Sequence, residues 1–303
     1  MATPPDRLLR RLEWRLGRRL DGRLRGAYRT VRHGAGLDFT DLRAYTGEDD
    51  VRHIDWNVTA RLDEPFVRQY TEDRELTAWL VVDRSASMRF GGPGKDSVAT
   101  ELAVSLARLV SRGGNRVGAI LFDNAAQRVL APRTGRDQIL RIAHELLAPA
   151  PVAAKRRIRG RKPARATTDL AAMFRLAAAT TARRRSLIFV MSDFIGEPGW
   201  ERPLGMLTHR HEVVAIRVVD PAELDLPDLG VIVVEDAETG EQLLVDTGDP
   251  LLRGRLAGQA DAREAELTGA LRRAGVAAHR ITTDQDLMAA LVQMVRAAGR
   301  GRR

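Results

Sequence analysis

The chain has 303 residues, with 49 Lys and Arg against 40 Asp and Glu, a formal net charge of +9 and an isoelectric point near 10.8. A hydrophobic share of 44% beside 29% charged residues is that of a globular chain with a sizeable core, which excludes collagen, coiled-coil and low-complexity classes. The lack of cysteine excludes disulfides, thiolate metal sites, iron–sulfur clusters and a cysteine nucleophile, and fits a reducing compartment.

Taken in chain order, residues 7–24 predict an Arg-rich helix with Leu9, Leu12, Leu16 and Leu20 along one stripe. Arg recurs throughout this segment and no apolar core leads to a small-residue cleavage site, so it does not read as a secretory signal. Apolar runs such as LTAWLVV and SLIFVM fall far short of the roughly 18 to 20 residues that span a bilayer. The expected location is cytoplasmic, with the N-terminal helix as a route to the inner membrane surface.

Between Asp38 and Glu75 stand eleven acids and five Arg, with Phe39, Tyr45, Trp56 and Phe66 as expected anchors of a wrapped, salt-bridged segment. Asp49 or Asp50 is expected to cap a short helix and Asp55 to pair with an Arg, which is the commoner use of such acids than a hydrolytic metal cluster with Glu48.

From residue 76 the pattern alternates strands and helices, as in a parallel sheet covered on both faces. A strand LTAWLVVD ends at Asp83, and a helix over DSVATELAVSLARLV follows with Val98, Leu102, Leu106 and Leu109 in period and Asp96 or Ser97 as cap. Strands at about 116–122 and 127–131, a helix at 136–147 and a helix at 169–183 come next. Then follow the strand SLIFVMSD, a short helix near 200–208 and the strand EVVAIRVVD. A hairpin over 230–246 is inserted before a final helix, strand and helix at about 250–297.

The charge is unevenly placed. Residues 1–29 carry net +6, residues 155–165 carry seven basic residues and no acid, and residues 296–303 carry four Arg and no acid. These segments hold +17 of a total of +9, so the other 255 residues are net −8. The body is acidic, and the basic character lies in two ends and one loop.

The sharpest local pattern is DRSAS at 83–87, directly after the first strand of the sheet and ahead of a helix. Ligands of open α/β sheets collect at the carboxyl ends of strands where the order switches. There Asp83, Ser85 and Ser87 offer a carboxylate and two hydroxyls, which suit a hard cation. Thr168 in ATTDL and Asp193 in FVMSDF stand at two further element ends, the latter on the strand expected beside the first.

Asp-x-Ser-x-Ser, then Thr before a helix, then Asp after an apolar strand resembles the metal-ion-dependent adhesion site of von Willebrand factor A domains. The upstream run GAGLDFTDLRAYTGEDDVRHIDWNVTAR at 34–61 is similar to the domain-of-unknown-function 58 family of bacterial proteins, whose C-terminal part is such a domain. The resemblance covers about residues 30–220. It implies that Ser85, Ser87 and Thr168 ligate Mg²⁺ or Mn²⁺ directly, with Thr167 a rival to Thr168, while Asp83 and Asp193 act through waters. It implies no catalytic residues, and a partner that offers an Asp or Glu to the ion, a MoxR-type AAA+ ATPase.

Competing motifs are weaker. GGPGKD at 91–96 fails as a phosphate-binding loop, because Arg89 takes the first Gly position and Asp96 replaces the Ser or Thr that holds Mg²⁺. Neither serine lies in GxSxG, and no histidine is placed beside them as a base. His209 and His211 read as solvent-facing at the start of a strand. Cation-activated hydrolysis would need Asp193 or Asp123 as base.

The expectation is therefore an α/β, doubly wound, mostly parallel Rossmann-like sheet of von Willebrand A type over residues 76–297. A wrapped segment over 1–75 packs on it, the hairpin is inserted in it, and a basic tail covers 298–303. The expected function is non-enzymatic, divalent-dependent protein recognition, with Lys155, Arg156, Arg157, Arg159, Arg161 and Lys162 forming a basic loop that attracts an acidic partner. The alternative is nucleic-acid or anionic-membrane binding through residues 1–29, 155–165 and 296–303.

Overall fold

The computed structural model describes residues 33–47, 49–62, 64–71, 76–90, 94–123, 126–148, 168–182, 184–236 and 241–300. The segment 7–24 expected to be helical, the basic residues 155–165 expected to form a loop, Thr167 and the last three residues lie outside this set. The described residues fall into two compact units, divided between Glu75 and Leu76.

The first unit is a two-stranded antiparallel sheet of β1 (His33–Ala44) and β2 (Phe66–Thr71), joined through a single 3-10 turn at Val51–His53 and a short helix α1 (Trp56–Leu62). Asp55 Oδ1 accepts the amides of Asn57 and Val58 and so caps α1, while Asp50 accepts from Arg52 at the turn. Asp49 carries an ion pair of its own: its carboxylate takes the Arg43 guanidinium, with one contact of 2.7 Å, and the Thr46 amide and hydroxyl. That guanidinium, then the two Thr46 bonds, holds Asp49 far below the ordinary carboxylate range. Trp56 is not an anchor: at 68% exposure it stands at the start of α1 facing water, whereas Val67 is buried.

The second unit is built on six strands. They are β3 (Thr77–Asp83), β4 (Arg116–Asp123), β5 (Ala126–Arg133), β6 (Leu187–Ser192), β7 (Glu212–Val219) and, after the hairpin β8 (Val231–Glu235) and β9 (Gln242–Asp246), β10 (Ala277–Thr282). Their order is β10-β7-β6-β3-β4-β5, parallel throughout except for the antiparallel edge strand β5. The helices are α2 (Lys95–Ser111), α3 (Arg136–Leu147), α4 (Leu170–Thr181), α5 (Glu201–Thr208), the short α6 (Pro221–Leu224), α7 (Pro250–Arg273) and α8 (Leu287–Arg300). This is the expected doubly wound, mostly parallel α/β fold, and its order reverses between β3 and β6. The last helix runs to Arg300, past the end that the periodicity predicts near 297.

Burial explains the unalternating sequences of the central strands. Alternate β3 side chains point to opposite faces, and all of Ala78–Asp83 are buried, so both faces need apolar residues. Trp79 and Val81 join Met173, Phe174, Trp200, Leu204 and Leu271 in the core under α4, α5 and α7. The side chains of β3 between them, led by Leu80, turn to the opposite face, where α2 packs on β3 and β4. Gly118 makes room for the first of these: a Cβ there would lie 2.8 Å from Trp79 Cε3.

Candidate functional site

The carboxyl ends of β3 and β6 lie side by side at the point where the strand order reverses; β3 ends in Asp83, and Asp193 directly follows β6. Asp83, Ser85, Ser87, Thr168 and Asp193 are all buried. Asp83 Oδ1 accepts the Ser85 amide at 2.9 Å, curling the chain over the strand end, and a 3-10 turn over Ser87–Arg89 continues the curl. The turn brings Ser85 Oγ and Ser87 Oγ to 3.0 Å from one another. Arg84 points away and donates to the carbonyls of Glu145 and Ala148, closing the carboxyl end of α3.

On β6, Ser192 Oγ donates to Asp83 Oδ2 at 2.6 Å and accepts the Phe194 amide at 2.9 Å, tying the two strand ends together. Phe194 has φ +58°, a left-handed conformation uncommon for a bulky residue, at the turn directly after Asp193. Asp193 Oδ1 accepts the Ile195 amide and Oδ2 accepts the Lys95 ammonium at 2.7 Å. Burial pushes the Asp83 carboxyl up to about 7, and the negative charge of Asp193 pushes in the same direction, against the bonds from Ser192 and Ser85.

Thr168 precedes the Asp169 cap of α4. Its carbonyl accepts the amides of Leu170 and Glu197, which joins the Thr168 segment to the loop after Asp193. Gly196 permits that approach, since a Cβ there would stand 2.3 Å from the Thr168 carbonyl oxygen. The structure thus brings the Asp83, Thr168 and Asp193 segments to one end of the sheet; Thr167 and the six basic residues of the 155–165 loop lie outside the described residues.

Lys95 and Ser192 complete the site. Lys95 is wholly buried, and its ammonium meets Asp193 and, at 2.5 Å, Glu223 Oε1. It opens α2 behind Gly94, φ +80°, which takes the cap position expected of Asp96 or Ser97. Arg217 on β7 donates from Nε to the Asp193 carbonyl and pairs with Glu264. The signal for Lys95 was present, because the chain has only three lysines among its 49 cationic side chains and one of them follows the first strand of the sheet.

The donor set is of the oxygen kind that a hard cation takes. Octahedral Mg²⁺, with ligands at about 2.0–2.1 Å, sets adjacent oxygens about 2.9 Å apart. The two buried serine hydroxyls share a hydrogen bond of 3.0 Å, which sets their oxygens at the length of that edge. Among the described residues no group of three or more His, Cys, Asp or Glu is arranged to hold a metal ion. Asp193, engaged by an ammonium, is poorly suited to act as a general base.

His211 is corrected by the structure. It is buried rather than solvent-facing, with Nδ1 accepting the Ser186 amide and Nε2 against Thr181 Oγ1, while His209 is exposed as expected. Among the described residues no helix is long and apolar enough to cross a membrane.

The profile of a family described as "Protein of unknown function DUF58" matches residues 41–266. An uncharacterised protein of Mycobacterium tuberculosis is 39% identical over 298 residues, covering 97% of this chain and 89% of that one. One from Mycobacterium bovis matches to the same extent. Among solved structures, the conserved hypothetical protein BatB from Bacteroides thetaiotaomicron aligns over 74% of this chain and 99% of that one, with a TM-score of 0.44 and 15% identity. The SpRpn10 VWA domain aligns over 76% of this chain and 100% of that one, with a TM-score of 0.38 and 14% identity.

Proposed function

The chain belongs to the DUF58 family, and on that premise we propose that it is a non-enzymatic protein-interaction module whose recognition depends on a divalent cation. Ser85, Ser87 and Thr168 would hold Mg²⁺ or Mn²⁺ through neutral hydroxyls, with Asp83 and Asp193 acting through waters. A bound ion supplies a Lewis-acidic position. Because these residues would give it few direct anionic ligands, an Asp or Glu of the partner would complete its coordination. The partner is a MoxR-type AAA+ ATPase, for which this chain serves as adaptor or substrate-recognition subunit.

The observation that carries the proposal is the buried pair of serine oxygens 3.0 Å apart at the strand-order reversal. The chain's own groups prepare the place: Ser192 and the Ser85 amide fix Asp83, and the Ile195 amide fixes Asp193.

The test is capture of a purified MoxR-type ATPase by the immobilised chain. Capture in Mg²⁺ is expected to fall at least tenfold with EDTA or with Ser85→Ala, while circular dichroism of the variant stays native. Equal capture in every condition overturns the proposal. Binding of DNA or anionic vesicles that weakens steeply with salt and ignores EDTA would assign the function to the basic segments instead.

A further inference from the structure

Lys95 is an unusual group to find at a cation site. A lysine is rarely buried unless paired, and here the whole side chain is out of contact with water. Its ammonium is held on two sides, by Asp193 Oδ2 at 2.7 Å and Glu223 Oε1 at 2.5 Å, with the Phe90 ring 6.0 Å away. Glu223 is fixed in turn, because its Oε2 accepts the Asp220 amide in the capping box of α6. The first residue of α2 therefore bridges the ends of β6 and β7 by a single fixed charge.

That charge competes with a divalent ion for the same acid. Asp193 has one oxygen on the Ile195 amide and the other on Lys95, so a metal that shares this acid finds it already compensated. Arg217 adds a second cation at the Asp193 main-chain oxygen. An ion at Ser85 and Ser87 would thus meet a positive neighbour across Asp193, and its charge would be balanced poorly by this chain alone.

We propose that Lys95 is a tethered cation that sets the divalent affinity of the site, by occupying Asp193 and leaving the ion to the serine hydroxyls. This rests on the divalent reading of the site and adds a direction to it: the protein holds its ion loosely by design of Lys95. A loosely held ion keeps a strong demand for one more anionic ligand, which is the role left for the partner's carboxylate.

Removing the ammonium while keeping the side-chain length frees Asp193. In Lys95→Met, Mn²⁺ followed by electron paramagnetic resonance is expected to bind at least tenfold more tightly than in the wild type, with one ion per chain. Glu223→Gln acts oppositely: it leaves the ammonium to Asp193 alone, and Mn²⁺ binding is expected to weaken severalfold. A purely structural role for Lys95 would weaken binding in both variants, so tightening in the first with weakening in the second supports the inference.

Ser85→Ala, made in the wild type and in Lys95→Met, separates the two levels. If Ser85→Ala abolishes Mn²⁺ binding but Lys95→Met binds no more tightly than the wild type, the Lys95 inference falls and the site stands. If Mn²⁺ binds neither parent, or binds both regardless of Ser85→Ala, the divalent reading falls and the inference with it. Should Lys95→Met fail to fold without metal, Lys95→Gln, which removes the charge but keeps a hydrogen-bond donor, takes its place: binding no tighter than in the wild type overturns the inference.

Discussion

His211 has both ring nitrogens committed, and this fixes its protonation. Nδ1 must be bare to accept the Ser186 amide, so the proton sits on Nε2, facing Thr181 Oγ1, whose own hydrogen goes to Ala177 O. Burial lowers the affinity of the ring for a second proton, and Arg210 and Arg185 lower it further. The unfolded chain takes that proton near pH 6.5 and the folded chain resists it. His211 therefore contributes stability that is present above about pH 6.5 and lost as the pH falls below it. Urea midpoints measured from pH 7.5 to 5.5 should drop, and His211→Asn, which keeps a polar partner but cannot titrate, should flatten the drop. The same scale shows what a sequence discloses. Asp83, Ser85, Ser87, Thr168 and Asp193 were legible because their types and their places at element ends are local facts. The partners of Ser192 and Lys95 were not, because these two act on residues 109 and 98 positions away and Glu223 meets Lys95 across 128; the rarity of lysine singles out Lys95 but not what it touches.

At the scale of elements, the loop after β6 and the start of α4 meet through one missing methyl group. A side chain at Gly196 would press on the Thr168 carbonyl at 2.3 Å, and backbone cannot yield as a flexible side chain would. Gly196→Ala is expected to cost about 1–3 kcal/mol by overpacking. It should also move the Thr168 segment away from Asp193. Urea unfolding measures the first effect, and a weakening of Mn²⁺ binding beyond that of a distant variant of equal stability measures the second. An unchanged midpoint would show that the loop re-forms around the methyl. Strands and helices of the sheet unit were readable because long apolar runs and 3.6-residue periods reflect burial on two faces or one. The β1–β2 hairpin was not, because eleven acids and five Arg interrupt any apolar alternation between Asp38 and Glu75. The same mixture made Trp56 look like an anchor when it is exposed.

For the molecule as a whole, an ion that binds only the folded chain stabilises it by mass action. At ten times its dissociation constant the gain is about 1.4 kcal/mol, which for a unit of this size moves the thermal midpoint by roughly 3–6 °C. Mg²⁺ should produce such a rise in the wild type and none in Ser85→Ala, as read by differential scanning calorimetry; equal rises in both would locate the ion elsewhere. The opening charge of +9 describes no single surface, since the body outside three basic segments is net −8. Trp79, lying against the bare backbone of Gly118, gives the molecule a further property. Its indole and that of Trp200 are 5% and 7% exposed, whereas Trp56 is open at 68%. With Trp14 replaced by Phe, emission that acrylamide cannot quench comes from the sheet and quenchable emission from the hairpin unit. Fluorescence therefore reports on each part in one cuvette, without an added dye, and tells which of them loosens first in denaturant.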